Sequence, residues 1–275
     1  MSNLRSIARD WLLPPAVTRW IQSRWHDDNR FEGEFASWEE ARSRCTGYDS
    51  EDILARVLAA TLKVKQGTAA FERDSVLFEE IEYVWPVVAG LMMAAARNTG
   101  TLNVLDFGGS LGSSYFQNLR LLNTLPRVQW NIIEQPHFVK AGKAYIQDEK
   151  LRFYSSIQEC LTENKPNVIL LSSVLEYLSE PASIFLSLLN VGADSVILDR
   201  TSINCSMSDR IYVQHVPASI YSASYPCRSF SESGLLAAAR GKYRLSADFQ
   251  SLPFPALERT GSSQKGYILS KGATE

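Results

Sequence analysis

The chain is poor in the residues that mark several common functions. It has three histidines and four cysteines in 275 residues. Cys45, Cys160, Cys205 and Cys227 are widely spaced and form no C-x-x-C pair, so no metal ligands are assigned and nothing calls for an oxidising compartment. An excess of one charge is missing too. The net charge of −2 leaves no electrostatic footprint for nucleic acid. No apolar run is long enough to span a bilayer, and the first residues lack the apolar core of a secretion signal. A cytoplasmic protein is therefore expected. Residues 11–21 are apolar, broken by Pro14 and Pro15 and flanked by Arg9, Arg19 and Arg24. Such a stretch packs on its own domain, or lies on a membrane surface or a partner, and so few basic residues favour the first over the membrane. Repeats and low-complexity tracts are absent as well.

What is present is a chain that is 45% hydrophobic, enough for a substantial core. Its length fits one α/β domain with an added segment, or two small domains. Its organising stretch is residues 103–115. Val104, Leu105 and Phe107 form an apolar run interrupted by Asp106, and Gly108, Gly109, Ser110 and Gly112 follow. A helix-compatible segment comes directly after. That order predicts a buried strand, a tight turn and a helix start, with backbone N–H groups bared toward a ligand. The plain alternative is a structural strand-to-helix turn.

The glycine spacing does not fit the dinucleotide fingerprint G-x-G-x-x-G. The run from Asp106 to Gly112 instead resembles D-x-G-x-G-x-G, the first motif of class I S-adenosylmethionine-dependent methyltransferases, with Ser110 in place of the middle glycine. The resemblance implies that this loop wraps the methionine end of S-adenosylmethionine and that Asp106 orders the turn. A second signal is independent of the glycines. Residues 128–134 read as the next strand, and Glu134, beside Gln135, lies about twenty residues past the last glycine. That is the spacing at which a strand-end carboxylate accepts hydrogen bonds from ribose hydroxyls.

Further on, residues 137–147 read as a helix and 151–154 as a strand. Ser155 and Ser156 either face the adenine, as the resemblance implies, or cap the helix at 157–161. Residues 167–171 are continuously apolar, as in a buried parallel strand. Ser172 and Ser173 follow at the strand's carboxyl end, where ligands of open α/β sheets sit. Glu176 and Tyr177 come next as pocket candidates. Pro181 opens a helix that ends near Gly192. A fifth strand spans 195–199, with Asp199, Arg200 and Thr201 at its carboxyl end. Residues 202–230 are long for a plain connection. They hold an extra strand at 211–215, and Tyr221, Tyr225 and Arg228, a mixture suited to a hydroxylated ligand. Ser231 caps a helix through Ala239, and 243–249 and 266–269 close the sheet.

Residues 1–100 read as a mostly helical N-terminal segment or cover, and 101–275 as the main domain with 202–230 inserted on the acceptor side. Ser37 opens one short helix as a capping box with Glu40. Ser50 opens another, which Gly67 ends. Arg73 and Asp74 either pair and fix this segment to the core or edge the active site; pairing is the safer reading.

Taken together, Val104 to Gly109, Ser172 to Leu178, Asp199 to Thr201 and Tyr225-Pro226 resemble a little-characterised methyltransferase family associated with bacterial surface-polysaccharide synthesis. Glu72 to Val76 and residues 47–50 share that likeness. It implies a Rossmann-like methyltransferase sheet, mostly parallel with an antiparallel final strand and helices on both faces. It also implies a small polar or glycan acceptor. A sugar hydroxyl is a poor nucleophile, so a base helps. His215 is the first candidate, because histidine as a residue type serves as a proton acceptor near neutral pH. Asp199 is the second. Arg200 holds an acceptor's phosphate or carboxylate, or only pairs with Asp199. A non-catalytic protein keeping this fold is the competing reading. A dinucleotide oxidoreductase is disfavoured by the glycine spacing.

Overall fold

The computed structural model describes residues 29–46, 51–217, 220 and 223–272. The apolar stretch at 11–21, the segment 47–50 with Ser50, and Tyr221 lie outside the described residues.

The central strands are continuous apolar runs because both faces of the sheet are covered. β4 (Thr101–Phe107), β5 (Arg127–Ile133), β6 (Leu151–Tyr154), β7 (Val168–Ser172) and β8 (Ser195–Asn204) are parallel, in the order β6-β5-β4-β7-β8. β12 (Ser262–Lys271) runs antiparallel to β8, and β11 (Tyr243–Gln250) pairs with β12 beyond it. This is the expected Rossmann-like sheet, mostly parallel and closed by an antiparallel hairpin.

Alternation along each strand sends side chains to two cores. Val104, Trp130, Ile132, Val168 and Leu170 pack on one face; Leu105, Ile133, Ile169, Leu171 and Val196 pack on the other. On the first face, helix α3 (Trp85–Arg97) approaches the sheet closely at Gly90, where a Cβ would lie 2.7 Å from Ile197. Helix α2 (Glu51–Lys65), which precedes it, buries Ile53 and Val57 in that same core. Helix α4 (Ser113–Leu122) begins directly after the glycines, as its sequence suggests.

Several elements differ from expectation. The N-terminal segment carries strands as well as helices. β1 (Arg30–Glu32) joins the main sheet, and β2 (Phe71–Arg73) pairs with β3 (Val76–Phe78) as a separate hairpin. β8 runs five residues past Asp199 because β12 and β10 (Ala223–Ser231) take up its exposed edges. β9 (Arg210–Val216) links β10 to β1, so the long connection is mostly sheet. This β1-β9-β10 extension stands beyond the carboxyl end of β7. The helix expected at 137–147 is α-helical as α5 (Pro136–Ala141) and becomes a π-turn over Gly142–Ile146.

Candidate functional site

Two glycines shape the turn after β4, for different reasons. Gly108 takes φ +72, and a Cβ there would collide with Val174. Gly109 has no such φ, but a Cβ would sit 2.5 Å from the Asp106 carboxylate. Ser110 occupies the left-handed region at φ 54, the conformation that explains why a glycine stands here in the motif. Asp106 lies under the turn, 1% exposed, and accepts a hydrogen bond from Trp130 Nε1 at 2.9 Å. Burial pushes its carboxyl up to about 7, against the pull of that bond.

Glu134 leaves the end of β5 and reaches back to this turn. Its Oε1 accepts from the Ser110 N–H at 3.1 Å and its Oε2 from the Gln135 N–H at 2.8 Å. Each oxygen keeps a lone pair for a further donor. Among the described residues no acceptor takes the N–H of Gly109 or Leu111. Bare amides beside a fixed carboxylate suit a nucleoside with vicinal hydroxyls and a polar tail. Ser156 is a helix cap: its Oγ accepts from the Glu159 N–H at 3.0 Å at the start of α6 (Ile157–Glu163). Ser155 is exposed beside it.

The carboxyl ends of β7 and β8 form the next wall. Between Leu198 and Thr201 the β8–β12 register slips, and Arg200 takes φ 51. A bulge of this kind re-aims side chains. Asp199 Oδ2 accepts from Ser172 Oγ at 2.8 Å and Oδ1 from Ser251 Oγ at 3.1 Å. Arg200 Nε lies 3.6 Å from Asp199 Oδ2 and 3.3 Å from Ser172 Oγ. Of the two readings of Arg200, the pairing with Asp199 is present, and the guanidinium also lines the cleft. Burial works against its charge, but Asp74, Asp199 and Glu176 outweigh it and the net shift is upward. Glu176 is 1% exposed and is not among the residues that line the cleft. Ser173 Oγ donates to its Oε1 at 3.3 Å, its Oε2 has no partner, and burial pushes it up to about 8.

The β9–β10 hairpin faces this site with one side only. Tyr177 OH donates to Gln214 Oε1 at 3.1 Å and meets the Tyr225 ring edge-on at 5.2 Å. Tyr225 stands opposite Gln214 in register, so both point the same way. His215 is the next residue and points to the other face, its Nε2 3.0 Å from Glu32 Oε2. Arg228 is on that outer face as well, 5.5 Å from the ring of Trp38 in α1 (Trp38–Arg42) and 3.5 Å from Asp209. Neither His215 as a base nor Arg228 as an acceptor ligand fits these positions. The composition of the segment suggested both, but composition does not fix which residues of a strand share a face.

β2 contributes Glu72, which the sequence reading left out of the site, and Arg73, which it placed there only as the second alternative. Glu72 is 1% exposed, accepts from Ser113 Oγ, and takes the Ser75 N–H at 3.3 Å. Burial pushes it up to about 7. Arg73 shows no ion pair with Asp74 among the described residues. It lines the cleft with Phe71, Ser113, Ser172, Asp199 and Arg200. The expected pairing gives way to the site-edge position. The signal was a charged triplet interrupting an apolar run. Among the described residues, non-glycine left-handed conformations fall at Asp74, Ser75, Ser110, Ser173 and Arg200, around the site, and otherwise at Thr99. Such strain clusters where a site over-determines the backbone.

Among the described residues there is no cluster of His, Cys, Asp and Glu suited to a metal, and no helix long and apolar enough to cross a membrane. No family model and no curated protein matches the chain. Solved structures do. The N-terminal domain of EvdMO1, crystallised in the presence of SAH and D-fucose, is similar over 82% of this chain and 97% of its own, at 13% identity and TM-score 0.49. The 1,6-didemethyltoxoflavin-N1-methyltransferase of Burkholderia thailandensis covers 82% and 92%, at 15% identity and TM-score 0.40. The magnesium protoporphyrin IX methyltransferase of Synechocystis PCC 6803, with bound SAM, covers 82% and 100%, at 12% identity and TM-score 0.45.

Proposed function

We propose that the protein is an S-adenosylmethionine-dependent methyltransferase that methylates a hydroxyl of a small polar or sugar-type acceptor, in bacterial glycan biosynthesis. The observation that carries the reading is the clasp between the Gly108–Gly112 turn and Glu134, made at the carboxyl ends of adjacent central strands. Bound there, the cofactor supplies a sulfonium methyl open to in-line displacement. Glu134 takes the ribose hydroxyls, and the amides of Gly109 and Leu111 face the amino-acid tail. Tyr177, Gln214 and Tyr225 offer ring faces and amide groups to the acceptor. The glycan assignment draws on one further fact. The described stretches that resemble the polysaccharide-associated family, at Glu72, Ser172, Asp199 and Tyr225, surround the same part of the sheet.

With His215 on the outer face, Asp199 remains as the proton acceptor. Ser172 and Ser251 donate to its two oxygens and fix the carboxylate's orientation. Alignment of donor and acceptor then carries most of the rate. Isothermal titration with S-adenosylhomocysteine, followed by single-turnover transfer from labelled cofactor to a panel of nucleotide sugars, tests the reading. Cofactor binding with transfer to a sugar hydroxyl supports it. Binding without transfer to any acceptor supports a non-catalytic protein, and absence of binding removes the cofactor.

A further inference from the structure

Arg73 is a buried charge without a counter-ion. It is 8% exposed. Among the described residues it makes no hydrogen bond and no ion pair, and its contacts are the ring faces of Phe71 and Phe78, at 5.3 and 5.9 Å. A guanidinium stays protonated at any pH where a protein folds. Burying one unpaired is strongly unfavourable, and ring faces return only part of that. Of the acids near it, Asp199 is engaged by Ser172, Ser251 and Arg200, and Asp74 and Glu82 act on Arg73 only through space, without an ion-pair contact. Burial and then the nearby Arg200 charge hold Arg73 below the usual arginine range, at about 10.

Arg73 lines the cleft with Arg200, Asp199, Ser113, Ser114, Gln117 and Ser172, and there Asp199 is already paired with Arg200. Ser113 and Ser114 begin the ten-residue helix α4, whose first N–H groups have no intrahelical partner. Two guanidinium forks, hydroxyls and helix amides converge on one small space. We propose that Arg73 and Arg200 form a binding site for a carboxylate, which enters beside the first turn of α4 and supplies the missing counter-charge. The planar fork of donors matches a carboxylate's two oxygens. That carboxylate is either the amino-acid end of the cofactor or a group on the acceptor. Only the first source rests on the cofactor reading above.

The test uses the full chain and the variants Arg73→Gln and Arg73→Lys. S-adenosylhomocysteine and 5′-methylthioadenosine, which lacks the amino-acid end, are titrated calorimetrically. Acetate is titrated by thermal shift, with and without saturating S-adenosylhomocysteine. Ligand-free Arg73→Gln should melt no lower than the parent, since it loses an unpaired charge. If the cofactor supplies the carboxylate, Arg73→Gln weakens S-adenosylhomocysteine about tenfold or more and leaves methylthioadenosine unchanged. If the acceptor supplies it, both nucleosides bind normally, and acetate stabilises the S-adenosylhomocysteine-loaded parent but not the loaded Arg73→Gln. Arg73→Lys retains part of either effect. Equal acetate response and equal S-adenosylhomocysteine affinity in parent and Arg73→Gln overturn the proposal. So does a melting point more than about 5 °C lower in ligand-free Arg73→Gln, which makes the side chain structural. If the parent binds neither nucleoside, the cofactor reading fails, and the acetate arm still decides the carboxylate site.

Discussion

At the residue scale the turn after β4 is over-determined. Gly108→Ala would add both a left-handed side chain and a collision with Val174. A stability loss of about 2–5 kcal/mol is expected, read from urea unfolding. A loss under about 1 kcal/mol would mean the turn relaxes freely. His215 leads to the opposite expectation. It lies on the outer face with Glu32, so His215→Ala should leave single-turnover methyl transfer within about twofold of the parent. A hundredfold fall would return it to the site. Three buried carboxyls set a pH dependence. Burial raises Asp106 and Glu72 to about 7 and Glu176 to about 8, from ordinary values of 3.8, 4.5 and 4.5. Each binds more protons in the folded than in the unfolded state. Stability therefore falls as pH rises from the unfolded values through the folded ones, between about pH 4 and pH 8. Glu176→Gln should flatten that slope by at most about 1.4 kcal/mol per pH unit, measured by urea unfolding at several pH values. An unchanged slope would show that Glu176 is ionised in the fold.

At the scale of elements, legibility followed pattern strength. β4, β7 and β12 were readable as buried or closing strands because their apolar content matches their burial, whereas β11 is mostly exposed and was readable only from its alternation. Ser37, Ser156 and Ser231 each hold the backbone N–H three residues on, as caps do, so those helix starts were readable too. The site was half readable. Asp106, Gly108, Gly109 and Glu134 announce themselves by spacing along the chain. Glu72 and Arg73 do not, because the hairpin that carries them is only three residues per strand and meets α4 through tertiary contact alone. His215 and Arg228 were misplaced for another reason. An extra strand can be located from composition, while its facing is set by register with β1 and β10.

For the whole molecule, the N-terminal segment is built into the sheet and the core. β1 pairs with β9, Thr46 and Ser224 bond side chain to backbone in both directions, and Ile53 and Val57 share a core with Val104 and Leu111. We expect deletion of residues 1–66 to abolish cooperative unfolding, since each of those apolar side chains contributes about 1.5–3 kcal/mol of burial. A truncated protein with a sharp thermal transition would make residues 1–66 a separable cover. The central claim is that one clasp, between the glycine turn and Glu134, binds the nucleoside end of S-adenosylmethionine. Calorimetric titration of S-adenosylhomocysteine into the parent and Glu134→Ala, with far-UV circular dichroism on both, tests it most directly. The expected result is saturable binding by the parent, weakened by about 1–3 kcal/mol in a folded variant. Equal affinity in a folded Glu134→Ala, or no binding by the parent, would contradict it.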